Sequence, residues 1–292
     1  MRATASSAPS SQAIAMRGTC LSLLAALVLL QGCATPSTPV ACTSVAPNAS
    51  YTGPYKGEEN RLTAADMARD LHCAEAFKAA KYPRGFVVVY GSSRLGEDKA
   101  GAPPTDSGRL YQGVRHFAAD WTRAHGASFP ILTGAGPGMM EAAARGATEA
   151  GGPSIGYTTY YGPARDKADA RLAFQTWQGQ PIVSDGLVFT SVAMRESMMV
   201  LHAAAVVVTP GGTGTEWEIY QTVESIKSRQ LDPVPIYLVG PRAVYWKGFE
   251  QRVQEMARLG TIRASEVTDL VRFVEDPQTL AEVLARDMRL VR

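Results

Sequence analysis

Residues Pro210-Gly211-Gly212-Thr213-Gly214-Thr215-Glu216-Trp217-Glu218 place three glycines, two hydroxyls and two carboxylates just behind the apolar run 203–208. A buried strand that ends in a Gly-rich turn leaves bare backbone N–H groups at the start of the next helix, where they can hold an anion such as a phosphate. Glu218 then has two readings. The spacing Thr215-x-x-Glu218 fits a capping box, in which each side chain satisfies the other residue's amide. Alternatively, a bound phosphate takes those amides and Glu218 faces the ligand. Arg195 poses a similar choice. Among Met194, Met198, Met199 and Leu201 it reads either as a surface arginine with its stem on apolar neighbours or as a cationic site residue.

Two more turns have the same character. Gly91-Ser92-Ser93 follows the strand pattern "GFVVVY", and Gly134-Ala135-Gly136-Pro137-Gly138 follows "FPILT". Three such turns at one edge of a parallel sheet form a place for a nucleotide. The middle turn is G-x-G-x-G, which is not the dinucleotide fingerprint. The last turn has no Gly-Lys-Ser/Thr and is not a P-loop. Gly91, Ser92, Ser93, Gly134, Gly136, Gly138, Gly211, Gly212, Thr213, Gly214 and Thr215 are the candidate substrate- and phosphate-binding residues.

The elements that must position these turns alternate between strand and helix patterns. "LTAADMARDLHCAEAFKAAK" has helical spacing behind a Thr63 N-cap, and "SGRLYQGVRHFAADWTRAHG" is an amphipathic helix ending at Gly126. "MMEAAARGATEAGG" and "SVAMRESMMVLHAA" are helices, "AAVVVTP" and "VPIYLVG" are strands, and two further helical patterns follow. Repeated βα units with nearly continuous apolar strands predict an α/β fold, a Rossmann-like doubly wound parallel sheet with helices on both faces. Ligands in that architecture sit outside the carboxyl ends of the strands. The net charge is only +2 and the basic residues form no run, so a nucleic-acid partner held by phosphate neutralisation is not expected.

The N-terminus differs in kind. "MRGTCLSLLAALVLLQGC" joins a basic residue to a short apolar stretch and a small-residue ending, as in a secretory signal; the stretch is too short to span a bilayer, which takes about 20 residues. Leu30-Gln31-Gly32-Cys33 resembles a lipobox. The expected organisation is a lipoprotein signal over residues 1–32, with Met16 a possible true start, a flexible Pro/Ser/Thr-rich tether over 33–59, and one globular domain over 60–292. Cys33 would carry the lipid and anchor the protein to a membrane on the extracytoplasmic side, with the outer membrane favoured. Cys42 and Cys73 could then pair in an oxidising compartment, or Cys73 could be free and buried.

P-G-G-x-G-T-x-x-E at Pro210–Glu218, an arginine fifteen residues upstream of that proline at Arg195, "VVVYGSSR" and "GPGMMEAAARGATEAGGPSIG" together resemble the LOG (Lonely Guy) family of cytokinin riboside 5′-monophosphate phosphoribohydrolases and their bacterial relatives. The resemblance runs in order over about residues 85–245. It implies hydrolysis of the N-glycosidic bond of a purine nucleoside 5′-monophosphate to free base and ribose 5-phosphate. Glu218 and Arg195 would be the catalytic pair, with Gly211, Gly212, Gly214 and Thr215 holding the phosphate, and the chain would form a homodimer. Neither a metal nor a redox cofactor is implied. The sequence departs from the family at Glu196, where lysine is frequent, and in the loop from Thr158 to Gly186. A second reading is a nucleotide- or phosphate-binding lipoprotein of the same fold without catalysis. The label lysine decarboxylase, attached to similar sequences, would require pyridoxal phosphate on a lysine, and none of the seven lysines lies in the Gly-rich turns.

Overall fold

The computed structural model describes residues 42–46, 49–51, 63–159 and 176–290. The signal, Cys33 and most of the 158–186 loop lie outside the described residues.

The chain order is β1 (Thr43–Ala46), β2 (Ala49–Tyr51), α1 (Ala64–Lys81), β3 (Phe86–Tyr90), α2 (Asp106–His125), β4 (Ile131–Thr133), α3 (Met139–Glu149) and β5 (Ser154–Thr159). A short hairpin, β6 (Thr176–Trp177) and β7 (Gln180–Pro181), precedes β8 (Asp185–Phe189), α4 (Val192–Leu201), β9 (Ala203–Val208), α5 (Thr213–Lys227) and β10 (Ile236–Val239). A π-helical turn (Arg242–Trp246) leads into α6 (Lys247–Arg258), α7 (Ser265–Thr268), β11 (Val271–Val274), a 3₁₀ turn (Pro277–Thr279) and α8 (Leu280–Asp287). The sheet runs β1-β2-β8-β5-β4-β3-β9-β10-β11. Its seven strands from β8 to β11 are all parallel, which is the expected α/β, Rossmann-like architecture.

Alternation along each strand divides the apolar runs between two cores. Phe86, Val88 and Tyr90 of β3, with Val206 and Val208 of β9, face the side packed by Phe77, Met198, Ile219 and Phe249. Val87 and Val89, with Ala205 and Val207, face the side packed by Tyr111, Phe117, Met139 and Leu284. A strand covered on both faces has no polar position to spare, which is why "FVVVY" reads as a continuous apolar run and is buried throughout. Thr63 caps α1 as expected, in a capping box closed by Asp66.

The chain leaves β3 to build one half of the sheet (β4, β5, β8) and returns through β9 to build the other (β10, β11). The sheet therefore reverses its winding between β3 and β9, and a crevice opens at their carboxyl ends.

Two readings of the sequence need correction. Thr43–Ala46 and Ala49–Tyr51 fall within the segment expected to be a flexible tether, yet β2 runs parallel to β8 and β1 antiparallel to β2. Pairing satisfies backbone groups that a polar, aperiodic composition does not advertise. β11 was also illegible, being a short strand with an exposed Arg272 at the sheet edge. Cys42 and Cys73, whose state the sequence left open, are bonded to each other and tie the N-terminal segment to α1.

The cross-link closes a loop with a sequence separation of 31, which the chain-entropy argument values at about 3–4 kcal/mol. Cys42→Ser should lower the unfolding free energy by up to that amount in denaturant titrations. Reductant should destabilise the unsubstituted protein and leave the variant unchanged.

Candidate active site

The three Gly-rich turns are joined to one another by backbone hydrogen bonds. Thr209 N and Thr209 Oγ1 both donate to Tyr90 O, at 2.9 and 3.0 Å. Ser92 N donates to Pro210 O at 3.1 Å, and Met139 N donates to Ser92 O at 3.0 Å. The turn after β3 thus bridges the turns after β9 and β4. Two glycines make the approach possible. A Cβ on Gly91 would lie 1.8 Å from Thr209 Oγ1, and one on Gly138, at φ +73°, would lie 2.3 Å from Ser92 O.

Around these turns lies a cavity of about 1150 Å³, large enough for a nucleotide. Of the candidate binding residues, Gly91, Ser92, Ser93, Gly134, Gly136, Gly211, Gly212, Thr213, Gly214 and Thr215 all line it, as do Arg195 and Glu218. Gly138 does not; its place is the seam between the first two turns. Sequence reasoning did not single out Arg94, Met140, Val192, Trp217 or Tyr245, which share the lining. Arg94 could have been noticed as the residue directly behind Gly-Ser-Ser. Trp217 is large, apolar and 44% exposed, and nothing in its spacing marked it as facing the cavity.

The helix start decides the reading of Glu218. α5 begins at Thr213 with Gly212 as N-cap, and no side chain caps it. Thr215 therefore sits within the first turn instead of at the cap, and the Thr215–Glu218 capping box does not form. The spacing was right for the motif, but the helix starts three residues earlier because the Pro-Gly-Gly turn ends at Gly212. The amides at this end are left without a side-chain acceptor, facing the cavity, with the positive end of the helix dipole behind them.

Glu218, one turn deeper, is 8% exposed. Burial raises its carboxyl from the ordinary value of 4.5 to about 8, and the Arg195 guanidinium opposes that rise. Arg195 is no surface arginine, being 7% exposed. Its guanidinium reaches the middle turn, where a Cβ on Gly134 would come 3.2 Å from Nη1. Its neighbour Glu196, the position noted as a charge reversal, is also buried and forms an ion pair with it. The reversal thus supplies Arg195 with a carboxylate partner inside the cavity wall.

The loop that carries Gly91–Leu95 is fastened at its far end. Glu97 accepts from Arg145 Nη1 at 3.0 Å and from Gln112 Nε2 at 2.8 Å. Arg145 also stacks 3.5 Å from the ring centre of Trp177, which ties the β6–β7 hairpin to α3.

Comparison with known proteins gives one family match. Residues 140–284 match the family described as "Possible lysine decarboxylase". No curated protein matches the chain. Solved structures that resemble it include the molybdenum cofactor carrier protein MCP from Chlamydomonas reinhardtii, at 18% identity and a TM-score of 0.43, covering 70% of this chain and 99% of that one. TM1055 is 17% identical with a TM-score of 0.40 and coverages of 71% and 99%. DNA processing protein A from Streptococcus pneumoniae is 13% identical with a TM-score of 0.37 and coverages of 70% and 63%. None of these likenesses bears on function. The family description names a decarboxylation, but no lysine among the described residues lines the cavity, so the lining they form does not fit pyridoxal phosphate held as a Schiff base.

Two measurements follow from this geometry. A Cβ on Gly212 or Gly214 meets nothing within 4 Å, so Gly212→Ala and Gly214→Ala should change the melting temperature little. Both should weaken nucleotide binding tenfold or more by calorimetry; unchanged affinity would show that no ligand uses that space. Glu218 holds its proton in the folded state up to about pH 8 but only to 4.5 when unfolded. The stability this contributes is complete below 4.5 and disappears as pH rises through 8. The melting temperature of Glu218→Gln should therefore gain on that of the unsubstituted protein as pH rises across this window. A constant difference would contradict the burial of Glu218.

Proposed function

The chain carries a LOG-family domain, and on that premise we propose that it hydrolyses the N-glycosidic bond of purine nucleoside 5′-monophosphates, releasing the free base and ribose 5-phosphate. The observation that carries this reading is the pairing of an uncapped helix N-terminus with a buried carboxylate one turn deeper in the same cavity.

In this reading the amides of Gly212–Thr215 hold the phosphate, assisted by the Ser92–Ser93 turn. The ribose then lies over Glu218 and Arg195. Cleavage of the bond from C1′ to the base nitrogen leaves positive charge on the sugar, which the ionised Glu218 stabilises. Glu218 also takes a proton from the attacking water, whose oxygen bonds C1′, and that proton ends on the departing base. Arg195 fixes the carboxylate and the sugar hydroxyls in a planar, two-pronged geometry. Glu196 keeps the guanidinium in place.

The Cys42–Cys73 bond supports an oxidising compartment and so the expected export, with Cys33 as the lipid-bearing residue. A homodimer, as in the family, is part of the same proposal. The second reading, nucleotide binding without turnover, would leave a buried carboxylate and guanidinium facing the ligand with no chemistry to do.

The proposal is tested by incubating the protein with a panel of nucleoside monophosphates and analysing the products. Free base and ribose 5-phosphate are expected in equal amounts; tight binding without release would establish the second reading. Glu218→Gln should reduce kcat by about 10²–10⁴ with nucleotide affinity near normal, and Arg195→Ala should reduce turnover more than stability. Because the ionised carboxylate is the working form and burial raises it to about 8, kcat/KM should climb with pH up to that value and level off above it.

A further inference from the structure

Tyr90 ends β3 directly beneath the cavity. The fully buried tyrosines elsewhere have partners for their hydroxyls: Tyr111 donates to Glu141 at 2.7 Å, Tyr157 meets His202 Nδ1 at 3.0 Å, and Tyr237 donates to Asp287 at 2.5 Å. The Tyr90 hydroxyl has no hydrogen-bond partner among the described residues, although the side chain is only 2% exposed. An unpaired buried hydroxyl costs about 1–3 kcal/mol. Phenylalanine would fill the same space without that cost. The tyrosine is therefore held against stability, a mark of a group retained for use.

The direction of its ring indicates the use. Phe86, Val88 and Tyr90 alternate onto the sheet face that packs α4 and α5, the helices that carry Arg195 and Glu218. The phenol senses both: burial raises its pKa well above the ordinary value, the Glu218 charge adds to the rise, and Arg195 opposes it. The titratable and charged groups coupled to Glu218 are Arg195 from α4 and Tyr90 from β3, and Glu196 pairs with Arg195. Arg94 and Tyr245 share the cavity wall. Of these, Tyr90 is the neutral donor that is buried and unengaged.

We propose that Tyr90 is a positioning residue whose hydroxyl donates a hydrogen bond to the Glu218 carboxylate whenever that carboxylate is ionised, directly or through one buried water. This inference rests on the hydrolase reading above and deepens it. The bond holds the ionised carboxylate against the drive of burial to protonate it, and it fixes the oxygen that addresses C1′. Tyr90 touches no substrate and acts through Glu218 alone.

The test is Tyr90→Phe. The fold should be retained, with a melting temperature equal to or above that of the unsubstituted protein, because an orphan hydroxyl is removed. Turnover should drop about tenfold or more, as for loss of a hydrogen bond to a charged group. The rising limb of kcat/KM should move to higher pH, because the ionised form of Glu218 has lost its donor. Unchanged turnover with an unmoved limb overturns the inference, and so does a loss of turnover accompanied by a lower melting temperature and an unmoved limb. Glu218 is also titrated directly through its carboxylate infrared band, as the difference between ¹³C-Glu protein and its Glu218→Gln variant. That readout needs no turnover. If no nucleotide is cleaved, the hydrolase reading fails, while the band still reports whether Glu218 titrates higher in Tyr90→Phe; an unshifted band overturns the inference.

Discussion

The rest of the site depends on the backbone bonds that join the ends of β3, β4 and β9. Tyr90 O, Ser92 N, Ser92 O and Pro210 O are committed to bonds between turns, so the amides further along, at the start of α5, are the ones that face the cavity without a side-chain acceptor. Glycine is required at Gly91 and Gly138 because any side chain would enter a neighbouring turn. Gly212 and Gly214 are under no such steric demand. In the proposed reading their smallness leaves room for an incoming phosphate.

The charges follow from that placement. Glu218, one helical turn behind the start of α5 that is proposed to hold the phosphate, is buried, and burial alone would neutralise it. Arg195 counters this from α4, and Glu196 in turn holds Arg195 within a mostly apolar wall. A lone arginine in such surroundings would be costly; paired, it keeps its fork geometry at the Gly134 turn. The arrangement gives Glu218 a pKa near the working range, where a carboxylate can both stabilise a cationic sugar and exchange a proton with water.

Much of this was legible in the sequence. Strands β3, β4, β9 and β10 differ from the helices by their nearly continuous apolar runs, and the turns declared themselves through glycine clustered at strand ends. What remained hidden had physical causes. The start of α5 could not be read because Thr-x-x-Glu spacing is identical in a capping box and in a helix that begins three residues earlier. Arg195 among methionines looks the same in sequence whether its head points to water or inward. β1, β2 and β11 lie in or beside the sheet edges, where few apolar residues are needed. The Glu97–Arg145–Trp177 contacts link segments some 80 residues apart and have no local signature. Tyr90 read simply as the last residue of a strand; what distinguishes it from the other fully buried tyrosines is a hydroxyl without a partner among the described residues.

The claim at the centre is that bare amides at the start of α5 grip a sugar phosphate and so aim Glu218 at the bond between sugar and base. A crystal structure of the Glu218→Gln protein with a purine nucleoside 5′-monophosphate tests it most directly. The account predicts phosphate oxygens on the amides of residues 212–215 and the C1′ atom facing the side chain at 218. A nucleotide bound with its phosphate elsewhere, or with residue 218 turned away from the sugar, would contradict it.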